Sequence, residues 1–340
     1  MVRAGGRNVK AIVVLEIAPS LDVFYDLEGK ANGHGDAAGL SVGEGFSTIR
    51  TGSKFRPALR LHPGGKGINV ARVLARLPGA GLADVPIELH VFCQASPLTG
   101  AVVGWLAAEP KMAGRVRVIH HAVGASAPRV CTNATVTLGG RMAHEFNFSP
   151  YMGIREDERA RLLDEVRALD RPGTWVVLSG TPPSFGNGAD ALLYRDLVAA
   201  VPRTRVVLDT SGESLDRCLT AGFRHLAMVK INSEEASQSA DALEEFRGLT
   251  IVTDEGGARL TRGAKRLADA RIARPPAVKC TLGAGDSVTA GFLVHYLATG
   301  DPPASLRYGE AVALTLVSSP GGIHGITPAR VGRQMSRLEA

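Results

Sequence analysis

Cys280-Thr281-Leu282-Gly283-Ala284-Gly285-Asp286-Ser287 sets two glycines, an alanine and a carboxylate side by side at 283–286. Val288, Phe292, Leu293, Tyr296 and Leu297 then recur at helical spacing, until Gly300-Asp301-Pro302-Pro303 stops the run. The pattern predicts an amphipathic helix beginning at Asp286, entered from a small-residue turn. A helix entered this way presents unpaired N–H groups and the positive end of its dipole to an anion. Glycine lets the backbone come close to that anion. A carboxylate at the same place is repelled by a bound phosphate. It makes chemical sense if it takes the proton of a hydroxyl that attacks a phosphoryl group. Read alone, Asp286 is more simply a helix N-cap.

A second turn far upstream changes that balance. His62-Pro63-Gly64-Gly65-Lys66-Gly67-Ile68-Asn69-Val70-Ala71-Arg72 is again a glycine turn opening a helix, with Val70, Val73, Leu74 and Leu77 at helical spacing. It is not a Walker A loop, because Arg60 stands where that loop needs its first glycine. No strand-linked G-x-G-x-x-G is present, so a dinucleotide-binding reading has no anchor.

Together the two turns resemble the paired signatures of the PfkB (ribokinase-like) carbohydrate kinases. Pro-Gly-Gly-Lys-Gly-Ile-Asn-Val-Ala-Arg looks like the phosphofructokinase and tagatose-6-phosphate kinase branch. The likeness runs from about residue 9 to residue 325. It implies an α/β fold, a mostly parallel sheet with helices on both faces plus a small β-lid. One such domain over 10–330, a lid from about 23–62 and 127–150, and an N-terminal extension at 1–9 are the expected organisation.

The resemblance also implies roles. Asp286 would be the catalytic base, with Gly283, Ala284 and Gly285 forming the anion hole. Asp22, Gly64, Gly65, Lys66, Asn69, Arg129, Asn133 and Glu145 would bind the sugar, Lys66 and Arg129 pairing with its existing phosphate. Lys230, Asn232, Glu235, Thr253, Gly256 and Gly257 would serve ATP, with Glu235 placing Mg2+ indirectly. Three positions depart from the family pattern. Ala18 replaces an Asn before Asp22, Cys131 stands where an Arg serves the substrate phosphate, and Cys280 replaces an Asp that helps hold a monovalent cation. Relatives pair through their lids, which implies a homodimer.

Composition is compatible with this reading. A chain of 340 residues, 45% hydrophobic and 21% charged, can bury a large core. The net charge of +6 and pI near 9.3 come from scattered basic residues. Their densest group, Arg259, Arg262, Lys265, Arg266, Arg271 and Arg274, has no interleaved aromatics, which argues against nucleic acid. The apolar run 11–17 contains Glu16 and is too short to span a membrane. Four cysteines without C-x-x-C or metal-ligand spacing read as reduced thiols in a cytoplasmic protein.

Along the chain, 10–17 reads as a buried strand followed by a turn ending at Asp22. The Gly- and Ser-rich stretch 29–57 reads as lid plus an extra loop about twenty residues longer than in relatives, since glycines do not stabilise strands. Strands at 87–93, 116–120, 134–138, 175–179, 205–209, 227–231 and 249–253, with helices at 156–169, 189–200 and 233–247, make βαβ alternation. Polar clusters follow these strands, which points to one cleft at their C-terminal ends.

The expected activity is therefore transfer of the ATP γ-phosphoryl group to a ketohexose phosphate. Two alternatives stay open. One is a kinase of an unphosphorylated sugar or nucleoside on the same fold, favoured by Cys131. The other is a sugar-phosphate-binding homologue without turnover.

Overall fold

The computed structural model describes residues 2–4, 7–27, 40–43, 46–49, 58–77, 82, 84–123, 131–138, 141–148, 154–180, 182 and 189–338. Nine strands form one sheet, in the spatial order Lys265–Arg271, Gly257–Arg262, Leu249–Asp254, Leu226–Asn232, Arg205–Asp209, Thr174–Ser179, Ala11–Glu16, Ile87–Cys93 and Val116–Ala122. The first two are an antiparallel edge, and every pairing from Leu249–Asp254 onward is parallel. Burial on both faces explains why the central strands are almost continuously apolar.

Successive residues of a strand point to opposite faces. Ile12, Val14, Val177 and Val207 enter one core with Ile68, Leu74, Phe292 and Leu316. Val13, Leu15, Val176, Leu178 and Leu208 enter the other with Leu162, Val166, Leu197 and Leu215. Each fully buried aliphatic chain contributes about 1.5–3 kcal/mol of transfer free energy. The chain starts mid-sheet at Ala11–Glu16, builds outward to Val116–Ala122, then returns to Thr174–Ser179 on the other side. That reversal leaves a crevice above the C-terminal ends of the central strands.

A second sheet, in the order Arg141–Phe148, Cys131–Leu138, Ser20–Leu27 and Ala58–Gly64, stands beside this crevice. Here the expected turn at Asp22 is corrected. Asp22 lies within the Ser20–Leu27 strand, paired in register with Asn133 on one side and His62 on the other. Proline and serine misled because this strand begins directly after the main-sheet strand, with only residues 17–19 between.

Other expectations change as well. The loop foreseen within 29–57 contains an antiparallel pair, Leu40–Gly43 with Phe46–Ile49. The first residues also pair, Val2–Ala4 with Arg7–Val9. The helix foreseen at 233–247 is two, Ser233–Gln238 and Ala240–Glu245, separated by Ser239. The one at 189–200 opens as a 3-10 turn. The Pro302–Val317 helix was hidden because Pro302 reads as a stop. It is instead the first residue after an Asp301 cap, whose carboxylate accepts from the Ala304 amide at 3.0 Å.

The helix after the signature turn is not amphipathic. Ala284–Thr299 is buried nearly all round, between the Lys66–Arg76 and Pro302–Val317 helices. Gly291 and Gly309 let the two C-terminal helices touch: a Cβ on Gly309 would stand 2.8 Å from the Val288 carbonyl oxygen. Cys93, Cys131, Cys218 and Cys280 are buried free thiols. Among the described residues no helix is long and apolar enough to cross a membrane.

Gly309→Ala forces these backbones apart and is expected to cost about 1–3 kcal/mol, the usual penalty of overpacking. A urea midpoint equal to wild type would refute the close-contact reading.

Candidate active site

The two glycine turns meet. Asn69, on the Lys66–Arg76 helix, donates from Nδ2 to Asp286 Oδ2 at 2.9 Å across 217 residues of sequence. Each turn needs its glycines for close approach. A Cβ on Gly64 would lie 2.2 Å from the Asp22 carboxylate, and one on Gly67 would lie 2.6 Å from the Leu15 carbonyl oxygen. Gly65 takes φ +115° and faces Glu16, while Gly283 takes φ +84° as the cap of the second helix.

The helix begins at Ala284, two residues before the expected start. The Ala284 amide is spent on the Thr281 carbonyl at 3.0 Å, so it does not belong to the anion hole as expected. The amides of Gly285 and Asp286 lie in the first turn, where no helical carbonyl precedes them. Lys230 guards this end, since a Cβ on Gly285 would lie 2.5 Å from its Nζ.

Asp286 is buried, and burial together with the nearby Asp209 charge raises its pKa to about 6. Lys66, Lys230 and the Asn69 hydrogen bond oppose that rise. Asp209, at the end of its strand, was not singled out from sequence. Its carboxylate takes Lys66 Nζ at 3.1 Å on one oxygen, with Lys230 Nζ at 3.6 Å and Thr289 Oγ1 at 3.4 Å on the other. These lysines hold Asp209 below the usual carboxylate range despite its burial. Lys66 is thereby committed to Asp209, and it does not line the cleft that contains Asp22.

Glu16 was also missed, although a charge inside an apolar strand was a usable signal. Its oxygens accept from the Ile68 amide at 3.1 Å and the Ala18 amide at 2.8 Å, pinning the first glycine turn to the main sheet. Burial pushes its pKa up to about 7.

Asp22 accepts from Ser20 Oγ at 2.9 Å and Asn133 Nδ2 at 2.8 Å. Asp22 and Asn69 line one narrow cleft with Phe24, His62, Arg72 and His324. The buried Oδ1 atoms of Asn69 and Asn133 have no hydrogen-bond partner among the described residues, as acceptors reserved for ligand hydroxyls would not. Glu145 pairs in register with Thr135, and Arg129 lies outside the described residues.

On the nucleotide side, Asn232 and Glu235 cap each other reciprocally, each backbone N–H donating to the other's side chain at 2.8 Å. Thr253 Oγ1 donates to the Ile231 carbonyl at 3.3 Å. Gly256 and Gly257 border a separate cleft with Ser233, Asp254, Arg259 and Arg271. Among the described residues no three His, Cys, Asp or Glu side chains converge as metal ligands. A cation that keeps most of its water and touches carboxylates through it suits this donor set.

Residues 131–330 match the model of the pfkB family carbohydrate kinases. The chain belongs to that family. A 1-phosphofructokinase of Rhodobacter capsulatus is 32% identical over 80% of this pfkB chain and 83% of its own. An ATP-dependent 6-phosphofructokinase isozyme 2 of Mycobacterium tuberculosis (strain ATCC 25618 / H37Rv) is 28% identical over 83% and 82%. Among solved structures, phosphofructokinase-2 of Escherichia coli in complex with substrates and products superposes with TM-score 0.73. It is 22% identical, with 97% of this chain and 99% of that one covered, and so supports the ribokinase-like fold. This pfkB chain is accordingly a carbohydrate kinase.

Asp286 must be ionised to accept a proton, so kcat/KM should fall about tenfold per pH unit below about pH 6. The folded state holds this proton more tightly than the unfolded chain. Its stabilising contribution is therefore present below pH ~4 and lost as pH rises through about 6. Asp286→Asn should cut kcat by about 10²–10⁴-fold and, at pH 8, raise the urea midpoint. Near-normal turnover of that variant, or a midpoint below wild type at pH 8, would contradict the assignment.

Proposed function

We propose that the enzyme transfers the γ-phosphoryl group of ATP to a hydroxyl of a ketohexose phosphate: fructose 1-phosphate, fructose 6-phosphate or tagatose 6-phosphate. The observation that carries this reading is Asp286, buried at a helix N-terminus and held by Asn69 over a cleft that also presents Asp22. The chemistry follows from that arrangement. Asp22 and Asn69 orient the sugar, and Asp286 takes the proton of the attacking hydroxyl. The Gly285 and Asp286 amides receive the charge that develops on the phosphoryl oxygens. Lys66 and Lys230, already beside Asp209, face the same phosphoryl group. Magnesium bound with ATP would neutralise the phosphates, held through water near Glu235. Thr253, Gly256 and Gly257 would border the nucleotide.

Relatives named for fructose phosphates support the phosphorylated substrate. Cys131, buried in the strand beside Ser20, favours the second reading, a neutral sugar or nucleoside. An ATP-dependent turnover panel separates them. The expected result is kcat/KM at least about a hundredfold higher for a ketohexose phosphate than for fructose or any nucleoside, the worth of about two charge-assisted hydrogen bonds. Equal or reversed preference would refute the proposal.

In the same reading the single unit 10–330 folds as one domain in the cytoplasm, and the four-stranded sheet is its lid. Tyr25, Leu59 and Leu61 are exposed there, with Tyr25 and Leu59 opposite one another in the register. Large apolar chains in a row on a wet sheet face mark an interface, so two lids pair face to face in a homodimer. Leu59→Glu with Leu61→Glu should convert a dimer to monomers in sedimentation. A wild-type monomer at micromolar concentration would dismiss this pairing.

A further inference from the structure

One wall of the Asp22 cleft has no task in the reaction described above. It is made by His62, Arg72 and His324, with Arg76 and Glu109 behind them. Arg72 is 3% exposed. It gives Nε to Glu109 at 2.9 Å and Nη1 to the Pro63 carbonyl at 3.1 Å. Its Nη2 sits 2.8 Å from His324 Nε2, while Arg76 Nη2 sits 3.2 Å from His324 Nδ1. His62 Nδ1 also approaches His324 Nε2, at 3.2 Å.

The protons in this cluster do not balance. Guanidinium nitrogens only donate, and a neutral imidazole has one acceptor nitrogen and one N–H. Whichever tautomer His324 adopts, one arginine N–H points at a ring N–H. A protonated ring doubles the conflict. The single carboxylate of Glu109 answers two guanidinium groups. Surplus donors and net positive charge around a cleft are the composition of an oxyanion site. Asp22, the one carboxylate lining the cleft, is turned toward Ser20 and Asn133.

We propose that His62, Arg72 and His324 bind the phosphate already carried by the sugar, making this wall the determinant of phosphorylated over neutral substrates. The inference rests on the kinase reading and narrows its substrate to a ketohexose monophosphate. An oxygen placed between Arg72 and His324 gives both facing donors an acceptor. Burial and the arginines hold His62 and His324 near pKa 4, so each ring brings one N–H to the anion without adding fixed charge.

The test combines kinetics with binding. In His62→Asn, His324→Asn and the double variant, KM for fructose 1-phosphate or fructose 6-phosphate should rise at least about tenfold per lost charge-assisted contact. The loss should sit in KM rather than kcat, and the Ki of unphosphorylated fructose as a competitor should not move. His324→Gln, which keeps one donor, should recover part of the loss. Thermal protection of the wild type by inorganic phosphate should disappear in the double variant, with unliganded melting temperature as the folding control. Unchanged KM for both sugar phosphates, or a rise shared equally by fructose, overturns the subsite and leaves the kinase reading standing. If the wild type phosphorylates no sugar phosphate, the kinase reading fails separately. Phosphate protection then decides the subsite: equal protection of wild type and double variant overturns it, and loss in the variant supports it.

Discussion

The hydrogen bond from Asn69 to Asp286 is the contact on which the site depends. It joins two helix N-termini whose turns arise more than two hundred residues apart, and it can form only if both backbones approach without side chains between them. Gly283 shows the tolerance: a Cβ there would already reach 3.4 Å from Asn69 Nδ2. Everything else around the crevice keeps these two turns in place. Glu16 ties the first turn to the main sheet, and the bare surfaces of Gly291 and Gly309 seat the second helix against its neighbour.

Electrostatics then divides three buried acids between different tasks. Asp209 stays ionised because two lysines surround it, and its charge in turn makes Asp286 harder to ionise. A base whose pKa is raised toward neutrality, yet still below it, is both ionised at working pH and strong enough to take a proton. Glu16 meets its burial with backbone N–H donors rather than a cation, and it rises further. One dielectric environment produces three protonation behaviours, set by which partner each carboxylate faces.

The small sheet carries the sugar side of the cleft by the same logic of position. Its strand register places Asn133, Asp22 and His62 in one row, and period-two geometry sends Leu59 and Leu61 to the opposite, wet face. A single strand thus supplies a ligand wall on one side and an apolar surface on the other. The unbalanced protons among Arg72, Arg76 and His324 belong to this row, because His62 lies next to Asp22 in register.

Much of this was legible in the residues. The glycine turns, the parallel βαβ alternation and Asp286 follow from local chemistry, since glycine freedom, apolar runs and helix dipoles act over a few residues. Asp22 was found in the right place but assigned the wrong backbone, because a turn and a strand start share the same proline and serine. The helix at 284–299 showed an apolar stripe, yet its remaining face is buried too, a fact that belongs to its neighbours. Asp209, Glu16 and the His62–His324 contact were invisible, for each acquires its meaning from a partner distant in sequence. The chain's order of residues determined which turns could bind anions and which strands would be buried. Only the tertiary structure decided which charges face one another, because Coulomb and hydrogen-bond energies depend on separations that sequence spacing does not encode.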